Sequence, residues 1–357
     1  MAGTTPPEAG PAERGSARTA HAYRLVPCPR GAEVAAWINE HGWVCGTMTV
    51  GARDGKVHDE PSHAAIWHVD EKECRDIDMS SSTWSRAVAL NRRGHVVGEA
   101  RLAPGEQLGG FLWPNRPDEP PSQWRWDALM PEGYQGSHAY AINEHGSIAG
   151  YAEAPPARIR GFLVESGGGR WRELSPLADD TGSLAMALNG AGHAVGNSYS
   201  ARRNHAVIWP APDGPVRLKL PTEFEANDAD SFAASIAGHG AIAGACWKFD
   251  KFPRHACLWG GRDEVARDLH DKKLGWTSDA TSVNRHGHVV GNYQTTRGEL
   301  RGFLHDGSRM LDLTSLARTP EKLVLRSPRM IDDRGWIIGT GSRGPGRPPE
   351  AFVLRPA

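Results

Sequence analysis

The chain has 357 residues, with 41 Lys and Arg against 42 Asp and Glu. So even a balance excludes a basic nucleic-acid footprint, a polybasic membrane patch and an acidic interaction tail. Its 42 Gly and 13 Trp point to many short strands joined by turns.

The first twenty residues carry Pro6 and Pro7 before Glu8 and have no apolar core. They predict a disordered tail over 1–20 rather than a secretory signal. The five Cys (28, 45, 74, 246 and 257) show no CxxC spacing and predict reduced, mostly buried thiols. Together these imply a cytoplasmic protein. No run approaches the ~18 apolar residues of a membrane-spanning helix.

From residue 21 to 357 the chain reads as one domain. HAYRLVPCP at 21–29 alternates like a strand. Then a motif of Asn, Gly three later and Gly four after that begins at Asn39, Asn91, Asn143, Asn189, Ala237, Asn284 and Asp332. Both Gly recur in all seven copies, at spacings of 46 to 52 residues. Asn or Asp suits the first position of a type I turn and Gly the fourth. An aliphatic residue precedes the motif and an apolar run such as HVVG (95–98) ends it, so each copy opens strand, turn, strand. A third strand follows, as in HAAIW (63–67), GGFLW (109–113), HAVIW (205–209) and EAFVL (350–354), always with Ala or Gly second. A weaker fourth follows, as in ECRDID (73–78) and QWRWDAL (123–129), and is missing from the seventh copy. Four antiparallel strands make one propeller blade. The expected fold is therefore an all-β, seven-bladed β-propeller of four-stranded antiparallel blades. Its last blade would be closed by the N-terminal strand, which removes exposed sheet edges.

The Asn-Gly-Gly motif together with His63, His205 and His255 opening strand three resembles the HAF-repeat family. The resemblance covers about residues 21–357 and implies a propeller-like fold. It implies almost nothing about chemistry.

A candidate site comes from positions that vary beside ones that do not. Four before each Asn is Ala in six copies, and six before is Ser in five (Ser85, Ser137, Ser183, Ser231, Ser278). Five before differs every time: Val34, Arg86, His138, Leu184, Phe232, Asp279 and Ser327. Just past the second Gly lie Glu99, Tyr151, Asn197 and Asn292, then Arg101, Tyr199, Trp247 and Tyr293. These sets predict one mouth on the top face, opposite the Asn-Gly turns, with Arg86, Glu99, His138 and Asp279 as its charged or titratable groups. Tyr151, Asn197, Tyr199, Trp247, Asn292, Tyr293, Arg101 and Phe232 would form its ligand-binding walls. His138 and Asp279, on nearly opposite blades, would grip one ligand rather than touch.

No GxSxG, HExxH, P-loop or dinucleotide signature is present, so no cofactor is expected. The turn residues His41, His145, His239 and His286 recur around a ring, too far apart to share one metal, and no metal site is expected. The reading is a small-molecule-binding propeller, a cofactor-independent lyase, isomerase or cyclase if it is an enzyme. His138 would be its acid or base, Asp279 or Glu99 the counterpart and Arg86 an anion stabiliser. Its partner would be a small organic molecule bound by a monomer, with no nucleic acid and no membrane. A non-catalytic protein-interaction scaffold anchored by Trp84, Trp124, Trp126 and Trp276 is the alternative. A lectin-like sugar binder is a third reading, which the dissimilar mouth positions disfavour. The 47–62 loop is a candidate lid.

Overall fold

The computed structural model describes residues 22–49, 62–78, 84–101, 107–114, 127–156, 158–166, 170–210, 213–224, 229–248, 251–320 and 322–357. The expected tail over 1–20, most of the 47–62 loop, Trp124 and Trp126 lie outside them.

Seven antiparallel sheets follow one another around a ring. Their innermost strands are Ala32–Ile38, Trp84–Leu90, Gly136–Ile142, Gly182–Leu188, Ala229–Ile236, Thr277–Val283 and Val324–Ile331, which number the blades one to seven. Each sheet runs outward in chain order, strand one beside two beside three beside four. Fourth strands are short, two residues in blade one (Arg75–Asp76) and blade five (Arg267–Asp268). In blade seven the outer position is filled from the other end of the chain. Tyr23–Val26 pairs antiparallel with Glu350–Pro356, from Tyr23↔Pro356 to Val26↔Val353. Ala317–Arg318 then pairs parallel with Tyr23 and Arg24 outside it.

Side chains alternate across each strand, so every blade is apolar on both faces and the core lies between blades. One cluster joins Ile208, Leu218 and Phe224 to Cys257 and Trp259 across the seam of blades four and five. Another joins Val290 and Leu304 of blade six to Leu325, Ile337 and Phe352 of blade seven. All five Cys are free, with Cys45, Cys246 and Cys257 buried and Cys28 and Cys74 half-buried. Among the described residues no helix is long and apolar enough to cross a membrane.

The repeated polar residues hold neighbouring blades together. Asn39 Nδ2 donates to Asn91 O (3.1 Å), Asn91 Nδ2 to Asn143 O (3.2 Å) and Asn143 Nδ2 to Asn189 O (3.1 Å). Each Oδ1 meanwhile caps its own turn, as Asn39 Oδ1 does by accepting from His41 N and Trp43 N. The next Gly has positive φ in every copy, +85° at Gly42 and +91° at Gly146, a region Gly enters without a Cβ penalty. Where blade seven meets blade one, Asp332 has no amide to donate. Arg334 substitutes: its Nε donates to Asp332 Oδ2 (2.8 Å) and its Nη2 to Asn39 O (2.9 Å). At the other end of the inner strand, the five Ser accept from the backbone N–H of strand three in the preceding blade. Examples are Ala64 N to Ser85 Oγ (2.9 Å) and Gly110 N to Ser137 Oγ (2.8 Å). This close approach explains the small second residue of strand three.

Candidate functional site at the upper mouth

A β-bulge builds the site. In all seven inner strands the pairing with strand two skips one residue, three before the Asn position. The skipped residues are Ala36, Val88, Tyr140, Met186, Ala234, Thr281 and Arg329, and every one of them lines a single cavity of about 420 Å³ at the top of the channel. A bulge leaves its extra residue out of the ladder and re-aims the side chain, here toward the axis. The second Gly of the motif is part of this device. A Cβ on Gly46, Gly98, Gly150, Gly196, Gly244, Gly291 or Gly339 would overlap the carbonyl oxygen five residues before the Asn position, which tilts over the Gly at the bulge.

Of the sequence-predicted residues, Arg86, Phe232, Asp279 and Asn292 line this cavity, joined by Arg254 from strand three of blade five. Glu99 and His138 stand behind the wall, both buried. Glu99 Oε2 accepts from Arg86 Nε (3.0 Å), and Glu99 Oε1 lies 2.9 Å from His138 Nδ1. His138 Nε2 is 3.3 Å from Glu153 Oε1, and its ring stacks on Tyr151 with centroids 4.2 Å apart. Burial opposes ionisation of Glu99, but the bonds from His138 and Arg86 outweigh it and hold the carboxyl below its ordinary value. His138 therefore has both ring nitrogens against carboxylates. It orients Glu99, and through it Arg86, rather than facing a ligand. Asp279 is separate from that network: its Oδ1 is 3.7 Å from Arg254 Nη1. Burial, only partly offset by Arg254, raises its carboxyl above the usual range.

Several expected wall residues lie elsewhere. Tyr293 is one residue too far along its strand, so alternation turns it away from the axis. It is buried, and its hydroxyl donates to Asp312 Oδ2 of its own blade (2.7 Å). Asn197 is buried and spent on structure, donating to Asn204 Oδ1 (2.6 Å) and Ser231 O (3.5 Å). Tyr199 packs its ring over Gly182, and Arg101 is exposed at the strand end opposite Trp84. Tyr151 and Trp247 support the wall from behind: Tyr151 stacks on Tyr140 (5.7 Å), and Trp247 lies under the Arg254 guanidinium (4.8 Å) beside Phe232.

The bulge positions Tyr140 and Arg329 escaped the sequence reading. The signal was available: a residue changing from Ala to Tyr to Arg, one step after a nearly invariant Ala. Arg329 is the more consequential. Its side chain is exposed in the channel, yet the surrounding blades and then neighbouring Arg86 push its guanidinium below the ordinary value. Among the described residues no carboxylate pairs with it. Arg86 Nη2 donates to Tyr140 Oη at 3.4 Å on the same side. Below, Trp37 borders both this cavity and a second one of about 530 Å³ at the Asn-Gly end. It stands two before Asn39, where most other copies have Ala or Ser, and so narrows the channel between the two mouths.

Seven four-stranded antiparallel blades in a closed ring define a seven-bladed β-propeller. The chain is similar in fold to the β-propeller domain of the Trilobed protease from Pyrococcus furiosus, at 9% identity over 91% of this chain and 95% of that one, TM-score 0.56. That domain is described as having an open velcro topology, whereas here the N-terminal strand joins the last blade. It is also similar to a puromycin-hydrolyzing peptidase of Mycobacterium tuberculosis, at 14% identity over 90% of this chain and 52% of that one, TM-score 0.54. TolB from Acinetobacter baumannii aligns at 10% identity and TM-score 0.49, with the chain spanning 62% of its length. The chain matches no protein-family model and no curated protein.

Proposed function

We propose that the protein binds a small organic anion, such as a carboxylate, in the upper mouth. The observation that carries this is Arg329, an exposed cation in the upper cavity beside Arg86, with no carboxylate partner among the described residues. Arg329 is exposed to the channel and repelled by Arg86, and an anion between them would relieve that like-charge crowding in the planar, two-pronged geometry that guanidinium favours. Arg86 is held in place by Glu99 and Tyr140, so little ordering remains to be done on binding. Phe232, Met186 and Val88 offer an apolar wall for the ligand's body, and the volume suits a small molecule. The large exposed apolar side chains Met130, Val265, Trp276 and Leu300 come from separate blades and linkers, which favours a pocket ligand over a flat protein interface. Membership of the HAF-repeat family is part of the same proposal. It is carried by His63, His205 and His255, each followed by a buried Ala.

Turnover is a second reading, favoured by Asp279. This carboxyl lines the cavity, has a buried oxygen without a hydrogen-bond partner and is held toward its protonated form. That equips it for proton transfer in a lyase or isomerase, with the two Arg stabilising the anion formed.

Thermal unfolding with a panel of mono- and dicarboxylates tests the binding proposal. At least one should raise the midpoint of the wild type and lose that effect in Arg329→Gln, while the ligand-free midpoint of the variant stays equal or rises. A carboxylate response unchanged by Arg329→Gln, or stabilisation by neutral sugars instead, would overturn it.

A further inference from the structure

A second cluster lies away from the mouth, at the seam of blades four and five. His255, in the blade-five strand Lys251–Trp259, has its Nδ1 2.6 Å from Asp268 Oδ2. Glu223 approaches from the linker, on the 3₁₀ turn Thr222–Phe224. Its neighbour Phe224 is buried and meets the His255 ring edge-on, with centroids 5.3 Å apart, which fixes the turn over the imidazole. One donor atom from each of Glu223, His255 and Asp268 lies within 4.8 Å of the others.

The repeat provides its own controls. His63 and His205 occupy the same place in blades one and four. Each pairs with an Asp, His63 Nδ1 with Asp76 Oδ2 at 2.8 Å and His205 Nδ1 with Asp180 Oδ2 at 2.9 Å. In blade one the Asp comes from the blade's own fourth strand, and in blade four from the preceding linker. A His bonded through Nδ1 to one Asp is therefore the ordinary structural pairing of this fold, and His63 also has Asp78 Oδ2 3.8 Å from its Nε2 without the three forming a cluster tight enough for a metal. Blade five has a carboxylate from both sources. Asp268 already accepts from His255 and, at 2.8 Å through Oδ1, from His270 N, so Glu223 adds nothing the pairing lacks. Two carboxylates gathered this closely around one imidazole repel each other unless a proton or a cation lies between them.

We propose that Glu223, His255 and Asp268 bind a first-row divalent transition ion, of which Zn²⁺ and Mn²⁺ are representative. One imidazole and two carboxylates suit such ions, and three protein ligands leave positions open for water or an anion. The ion would also tie the linker to blade five.

Co²⁺ serves as a spectroscopic probe, titrated into the metal-stripped full-length chain. The expected result is one equivalent bound, with visible d–d bands and no thiolate charge-transfer band. Affinity should fall roughly tenfold or more in Glu223→Gln and be unchanged in the blade-one control Asp76→Asn. Glu223 is exposed, so its variant should keep the fold, and metal-free it should be at least as stable as the wild type. No uptake, uptake insensitive to Glu223→Gln, or a thiolate band would overturn the proposal.

Discussion

Gly150 and Gly238 carry the same label in the sequence and do different work. A Cβ at Gly150 would overlap the His138 carbonyl and press on Phe162, whereas one at Gly238 meets nothing within 4 Å. Gly150→Ala should therefore cost about 3 kcal/mol, the upper end of ordinary overpacking, and Gly238→Ala less than about 0.5 kcal/mol. Denaturant unfolding of the two variants checks this, and equal losses would show that the bulge can relax around a methyl group. The recurrence of the second Gly was legible in the sequence, but its cause was not. Spacing reports that a residue must be small, not that a carbonyl five residues upstream of the turn leans over it. The same blind spot hid Tyr140 and Arg329. A strict two-residue alternation counts the position three before Asn as part of the ladder, and a bulge releases it. Alternation, in turn, should have moved Tyr293 off the wall list, since it stands next to Asn292, which does line the cavity.

Among elements, the joint between blades seven and one differs from the rest. In blades one, two, three and six a single Asn caps its turn and reaches the next blade, and Ala237 of blade five has no side-chain group to do either. At the closing joint Asp332 caps and Arg334 reaches, with Nη1 also donating to Glu40 O at 2.6 Å. Arg334→Ala should cost about 2 kcal/mol, the scale of hydrogen bonds from a charged group. Adding Asp332→Asn should recover part of that loss, because the new amide can donate to Asn39 O as its counterparts do. If Asp332→Asn in the Arg334→Ala background restores nothing, the Asn latches contribute through their turns alone. The Asp at this position was visible from sequence as the odd member of the series. Its partner was not, because the donor comes from two residues later and acts across the ring closure.

For the whole molecule, ring closure depends on Tyr23–Val26. Removing residues through Val26 leaves the outer edge of Glu350–Pro356 unpaired and strips Tyr23 from the blade-seven core. Unfolding should begin at lower temperature, and faster hydrogen exchange should be concentrated in blade seven, with blade three little changed. Uniform acceleration around the ring would mean that the blades unfold as one unit rather than locally. The seven-fold architecture and its N-terminal closure were legible because turn chemistry repeats at a fixed period and one strand is missing at one end and spare at the other. The mouth was legible only in part, because a repeat advertises what stays the same while recognition resides in what changes.

The bulge gives the protein an unusual division of labour. The seven bulged residues that line the channel take no part in the pairing of strands one and two. Substitution at Ala36, Val88, Tyr140, Met186, Ala234, Thr281 or Arg329 can therefore redraw the chemistry of the opening while the surrounding sheets keep their pairing. The scaffold works as a fixed socket with seven exchangeable pins.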